Sequence, residues 1–334
     1  MKRATLLALA TGFVLFVALV IRYGGVSLAA AVAAAGWGLL WVTIYRFLTI
    51  TTDALGWRAL FVGSVRPTLG PLVRMRWIGE SVNSLLPVAQ VGGDVARARL
   101  ATHLGVSGPE AGATVVVNFT LDLVTQILYT LVGVALMVAV GGVEARGWLV
   151  GLLVAVLAVT GFYVVQRHAP FQKLVGVFGV LLGGRLWDSL AGDASQLDRN
   201  ITILYGRRKE VMICGAWCMI TWLLHTGETW VALYYLGAPV SLAKALILES
   251  LGTAIRSAAF AIPGGLGVQE GGFVLLGSQL GLTPQISLAL ALVKRVRELL
   301  VGGPGLVAWM LAEGRSLSRL LGQRAARGAK NDHP

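Results

Sequence analysis

The chain has 334 residues, of which 56% are hydrophobic and only 13% charged, and its net charge is +12 at pH 7. Soluble domains average about 25% charged residues, so the composition excludes an ordinary soluble enzyme and fits one integral membrane domain. The positive charge is that of loops that set topology and meet anionic lipid; no nucleic-acid motif occurs and no nucleic-acid partner is expected.

In chain order, the first apolar run extends from Ala4 to Ile21. It is long for a signal peptide and lacks an A-x-A cleavage site, so it reads as an uncleaved first helix. Spanning helices are predicted near 4–22, 27–50, 111–140, 148–166, 210–236 and 284–311, since the apolar runs reach the ~20 residues a bilayer core requires. Two other apolar stretches, 68–104 and 241–281, are broken midway by Pro87 and Pro263. Each half is short for a crossing. Backbone that leaves the helix at membrane depth must be buried in protein or line a wet cavity. Both stretches therefore read as re-entrant helical hairpins, with eight full spans as the alternative. The expected fold is an all-α polytopic membrane protein, six transmembrane helices plus two re-entrant hairpins.

Between the fourth and fifth spans lies a polar segment, 167–209. Its Leu186, Leu190, Leu197, Ile201 and Leu204 recur at helical spacing with charges between them. That pattern predicts an amphipathic helix along the interface or against the bundle. If each hairpin returns to the side it left, 20 of the 28 lysines and arginines fall on one side. By the positive-inside rule both termini are then cytoplasmic.

The two broken stretches align without gaps at an offset of 176 residues. Pro87 falls on Pro263, Asp94 on Glu270, Leu104-Gly105 on Leu280-Gly281, Ser107 on Thr283 and Asp122 on Glu298. With the predicted topology the two copies enter from opposite faces, an inverted-topology repeat with halves at about 27–140 and 210–311. In such proteins the binding site sits near the midplane, where broken helices meet. The glycines around the breaks, Gly92, Gly93, Gly264, Gly265 and Gly267, are expected to let a headgroup approach bare backbone groups. A nucleotide-binding reading fails for want of a G-x-x-x-x-G-K-[ST] and a preceding strand.

Charges in apolar helices mark the candidate site, since each costs about 2.5–3.5 kcal/mol near the bilayer centre. Lys294, Arg297 and Glu298 share one face of the last helix, with Lys294 set to pair with Glu298 and Arg295 pointing elsewhere. Bases outnumber acids there, which favours substrate binding over a purely structural network. Arg97 and Arg256 would attract anionic or hydroxyl oxygens, and Asp94, Glu270 and Glu298 would balance them or bind an amine. Asn118, Asp122, His225 and Glu228 are further candidates. Cys214 and Cys218 read as ordinary buried thiols. The scattered histidines give no metal spacing, and no cofactor is expected. The oligomeric state is not fixed by the sequence.

"SLLPVAQVGGDVARARL" and "AFAIPGGLGVQEGGFVLLG", with the charged last helix, resemble the lysylphosphatidylglycerol synthase transmembrane family over nearly the whole chain. The residues that match the family's motifs are Pro87, Gly92, Gly93, Asp94, Arg97, Pro263, Gly264, Gly265, Gly267, Glu270 and Gly271. The resemblance implies a flippase-like domain that moves or handles a lipid between leaflets. It is strongest to the branch found beside hopanoid biosynthesis genes in bacteria, so a hopanoid or an anionic phospholipid is the implied partner, with lipid-biosynthesis enzymes as neighbours and the bacterial inner membrane as location. No aminoacyltransferase domain or ATPase motif is present, so the chain is not expected to be an enzyme. The rivals are a membrane-embedded lipid-modifying enzyme and a scaffold for a lipid-synthesis complex. The expected layout is an integral domain over 1–314, containing the segment 167–209, and a basic cytoplasmic tail over 315–334.

Overall fold

The structure, a computed structural model, describes residues 36–63, 65–86, 92–140, 194–259, 262 and 265–331, without the side chains of 194 and 313–331. The helices predicted at 4–22 and 148–166, the start of 27–50, Pro87, Pro263, Gly264 and the first part of the amphipathic segment lie outside them. Every regular element among the described residues is a helix, and none is a strand. The order is α1 (Trp37–Ala59), α2 (Leu69–Leu85), α3 (Gly92–Thr102), α4 (Gly108–Val140), α5 (Ala194–Gly206), α6 (Arg208–Tyr235), α7 (Leu242–Ala258), α8 (Val268–Gln279) and α9 (Pro284–Asn331).

Both apolar stretches are broken where their prolines predict. α2 ends at Leu85 and α3 begins at Gly92; α7 ends at Ala258 and α8 begins at Val268. The starts of α3 and α8, and of α4 and α9, are 176 residues apart. The connections into α4 and α9 are also built alike. Gly105 and Gly281 hold left-handed φ of 88° and 83°, a region that favours glycine. Two residues on, the Ser107 hydroxyl accepts from the Glu110 amide and the Thr283 hydroxyl from the Ile286 amide, both at 3.3 Å. These are side-chain N-caps, and Pro284 at the first position of α9 suits a helix start.

The set α1–α4 and the set α6–α9 pack in matching ways. α2 lies on α9 as α7 lies on α4, α3 on α4 as α8 on α9, and α1 on α9 as α6 on α4. α1 and α6 pack against each other and run antiparallel, since Gly38 meets Tyr235, Tyr45 meets Gly227 and Gly56 meets Trp217. Two apolar cores result, one centred on α2, α3 and the first half of α4, the other on α7, α8 and α9. α5 adds Leu197, Ile201 and Leu204 to the first core and packs on α4. Of the two placements expected for the amphipathic helix, the structure takes the one against the bundle.

Among the described residues, α1, α4 and α9 turn apolar faces outward. Leu40, Ile44 and Leu48 on α1, Leu128, Leu131 and Val132 on α4, and Leu299, Val307 and Met310 on α9 are all exposed. α4 is the one helix among the described residues long and apolar enough, by length and composition, to cross a membrane. The spans expected at 210–236 and 284–311 are helices, but they carry charges on their inner faces. α9 also runs on through Pro304 to Asn331, so much of the expected basic tail is helix.

Backbones touch where α2 crosses α3. A Cβ on Gly93 would stand 1.9 Å from the Gly79 carbonyl oxygen and 2.8 Å from the Asn83 side chain. Asn83 in turn accepts from the Gly93 amide at 2.7 Å. Gly93→Ala is expected to destabilise the protein by about 1–3 kcal/mol through overpacking, read as a lowered unfolding temperature in detergent. Gly215→Ala, where nothing lies within 4 Å, serves as the comparison and should leave that temperature unchanged or raise it.

Candidate functional site

Charged side chains from eight helices converge between the two cores. The first group joins α1, α2, α6 and α9. The Arg46 guanidinium donates to Glu80 at 2.6 Å and to Glu228 at 3.4 Å. Arg297 reaches Glu228 at 2.8 Å and Glu80 at 3.9 Å. Two arginines and two glutamates thus form a closed ring of alternating charge. His225 sits beside it, its Nε2 2.8 Å from the Arg46 guanidinium. Since arginine only donates, that nitrogen is the acceptor and carries no proton.

The second group belongs to the first broken stretch. Arg76 on α2 pairs with Asp53 on α1. Arg97 on α3 donates to Asp94 and to Asn118 on α4, each at 2.7 Å, and lies 5.1 Å over the Trp57 ring. The Asn118 amide nitrogen points at Cys214 and Cys218, both free and buried as expected.

The third group belongs to the second broken stretch and α9. Glu249 on α7 accepts from both Lys294 and Thr229. Arg256 pairs with Glu298. Arg295 donates to Glu270 at 2.8 Å and to Glu298 at 3.0 Å. Two expectations are corrected here. Lys294 pairs across helices with Glu249 rather than along its own helix with Glu298, and Arg295 does not point away but bridges Glu270 and Glu298. A buried charge needs a close, hydrogen-bonded partner, and Glu249 from α7 and Glu270 from α8 come within reach of Lys294 and Arg295.

The expected surplus of base also disappears. Among the described residues the three groups hold seven cations: Arg46, Arg76, Arg97, Arg256, Lys294, Arg295 and Arg297. They hold eight carboxylates: Asp53, Glu80, Asp94, Asp122, Glu228, Glu249, Glu270 and Glu298. The acids that balance α9 come from α2, α6 and α7.

The ion pairs do not fill the space between them. A cavity of about 460 Å³ opens among the groups, within the roughly 300–1,000 Å³ typical of small-ligand sites. Of the residues singled out from sequence, Asp94, Arg97, Asn118, Asp122, His225, Arg256, Lys294, Arg297 and Glu298 line it. Glu228 and Glu270 lie behind the wall, buried and holding lining or adjacent arginines. Gly92 and Gly93 are not in the wall: Gly92 starts α3 and Gly93 packs on α2. Gly265 and Gly267 are not in it either, and shape the turn before α8 with φ of 61° and 77°. Gly265 touches the Arg256 side chain, where a Cβ would come within 3.2 Å, so that turn supports a lining cation.

Sequence reasoning missed Arg46 and Asp53. Both stand in one apolar run, seven residues apart and thus on one helix face, which is the signal that would have found them. A side cavity of about 120 Å³ adjoins the first, lined by Arg46, Asp53, Arg76, Glu80, Asp122 and Thr221 among others. The described residues contain no cluster of three or more metal-ligating side chains.

The family profile described as the lysylphosphatidylglycerol synthase TM region matches residues 5–304. A protein of Methanothermobacter thermautotrophicus described as a UPF0104 membrane protein is 24% identical over 280 residues, 77% of this chain and 80% of its own length. No solved structure matches.

Proposed function

The chain belongs to the lysylphosphatidylglycerol synthase TM region family, and from that premise we propose that it translocates a lipid between leaflets, the headgroup passing through the charged chamber while the tail stays in the bilayer. The observation that carries this reading is the combination of a 460 Å³ cavity walled by charged side chains with an outer surface of exposed leucine, isoleucine and methionine. A soluble protein would hold these the other way round. The proposal includes six spans and two re-entrant hairpins in an integral domain over 1–314, with the tail 315–334 and both termini on the cytoplasmic side of a bacterial inner membrane.

Support for an inverted repeat comes from the matched packing of the two helix sets and from the antiparallel contact of α1 with α6. Two equivalent helices that meet antiparallel are related by an axis perpendicular to them. For spanning helices that axis lies in the membrane plane, so the same motif can face either side. The substrate is a membrane lipid, either an anionic phospholipid or a hopanoid with a polar extended side chain. Lining cations are suited to phosphate or hydroxyl oxygens. As binding residues we assign Asp94, Arg97, Arg256, Lys294, Arg297 and Glu298. The first half-helices, α2 and α7, end beside the chamber, which Ser84 and Ser257 line; we assign Pro87, Pro263 and Gly264, which follow in the sequence, as the breakers. An α5 docking surface, on which a scaffold reading rests, is weakened because Leu197, Ile201 and Leu204 are already buried against the bundle.

The test is reconstitution. Purified protein in liposomes carrying NBD-labelled phosphatidylglycerol should raise the fraction of label that external dithionite quenches above the outer-leaflet half, with no change in lipid chemistry. Quenching that stops at the half found in protein-free liposomes would refute translocation of this probe, and a new lipid product would point to the enzyme instead.

A further inference from the structure

One carboxylate of the chamber stands apart. Each of the seven cations and seven of the eight acids lie in an ion pair. Asp122 is the eighth. Its backbone carbonyl accepts from Thr125 and Trp222, but among the described residues its carboxylate has no hydrogen bond or ion pair. It lines both the 460 Å³ cavity and the 120 Å³ side cavity. Asp53, which lines the side cavity too, is 5% exposed, and its Oδ1 is buried without a partner. The side cavity therefore contains one free carboxylate and one free carboxylate oxygen, with room for about four waters at ~30 Å³ each.

The groups around Asp122 leave it unneutralised. Arg46 and Asp53 face it from α1, Arg76 and Glu80 from α2, and Asp94 and Arg97 from α3. His225 faces it from α6, Glu249 and Arg256 from α7, and Lys294, Arg297 and Glu298 from α9; α5 sends no charge into either cavity. Every cation among them is engaged by another acid. An intramembrane carboxylate whose neighbouring cations are all paired to other acids is driven to take up a cation of its own. Two guanidinium groups border the side cavity and no cluster of three metal-ligating side chains exists among the described residues, which favours a proton over a metal ion.

We propose that Asp122 is a proton-binding site of the chamber, alternating between carboxylate and carboxylic acid. With the proton bound, the acids and bases of the three groups are equal in number; without it the chamber is one charge more negative and repels an anionic headgroup. The proton site stands on the geometry alone. Its use in driving a headgroup across rests on the translocation reading above.

Infrared difference spectra of the full chain in nanodiscs, stepped from about pH 9 to about pH 5, test it. The wild type should gain a protonated-carboxyl C=O band. Asp122→Asn should lose most of that band while eluting as the wild type does, and Asp122→Glu should keep it at a shifted frequency. Should Asp122→Asn fail to fold, the shift in Asp122→Glu decides. A band that is absent in the wild type, or unmoved by both variants, overturns the site. So does sodium-22 binding by the wild type that Asp122→Asn removes. A normal Asp122 band in protein that fails the dithionite assay would leave the proton site standing and remove the translocation reading.

Discussion

Arg256→Ala is expected to slow transfer of NBD-labelled phosphatidylglycerol in proteoliposomes by roughly ten- to a hundredfold, while the protein still inserts and purifies as the wild type does. The factor is that of one hydrogen bond to a charged group, about 1.5–3 kcal/mol. The fold survives because of what Arg256 leaves behind. Glu298 keeps Arg295 as a partner at 3.0 Å, so no carboxylate is stranded. The Arg256 side chain is itself 21% exposed and lines the cavity rather than sealing it. Shortening it only leaves more room beside Gly265. Transfer at the wild-type rate would return Arg256 to a structural role.

Lys294→Ala is expected to do the opposite: damage stability first. Its partner Glu249 is 6% exposed, and without the ammonium it keeps only hydroxyl donors, Thr229 and Thr253. Stranding one member of a buried pair costs about 3–5 kcal/mol. The ammonium also sits 5.7 Å over the Phe273 ring, and the variant forgoes that attraction too. The unfolding midpoint in detergent should fall sharply. Adding Glu249→Gln to Lys294→Ala should recover part of the loss, because the stranded charge is then gone. A double variant no more stable than the single one would mean that the missing packing, not the charge, dominates.

These two outcomes differ although both residues are basic, lie in one cluster and were singled out together from the sequence. What was legible there was local. Proline and glycine mark where helices must stop, so the breaks after Leu85 and Ala258 follow from Pro87 and Pro263. Breakers and caps repeating at a fixed offset also carried through, down to the left-handed Gly105 and Gly281 and the hydroxyl caps after them. The charged face of α9 was legible because 100° per residue fixes which side chains share a side.

Pairing was not legible. A sequence shows that Lys294 and Glu298 lie one turn apart; it does not show that Glu249, 45 positions earlier, arrives closer. The apparent excess of base on α9 comes from reading one helix at a time, since Glu80, Glu228 and Glu249 are supplied from elsewhere. Arg46 and Asp53 escaped notice although their seven-residue spacing sets them on one helix face; what no spacing gives is their partners, Glu80 and Arg76, on the next helix. The glycines of the two turns were read as ligand contacts, whereas Gly93 and Gly265 are explained by close approach and a left-handed turn. The sequence cannot separate these uses, because both require the same absent side chain.

The crosswise packing of the two sets has a consequence for biogenesis. α2 rests on α9, and α7 on α4, so neither set completes its own interior. A ribosome that has released α1 to α4 has delivered Arg46 and Glu80, but Glu228 and Arg297, which close their ring, are still unmade. The nascent first half must wait in the bilayer with two members of that ring, whose remaining partners lie more than 150 residues downstream. The usual N-to-C order, in which an early unit folds before the next emerges, is closed to this chain. Its native bundle locks only when the final long helix arrives, and a gene cut between α4 and α5 would encode two fragments that need each other to mature.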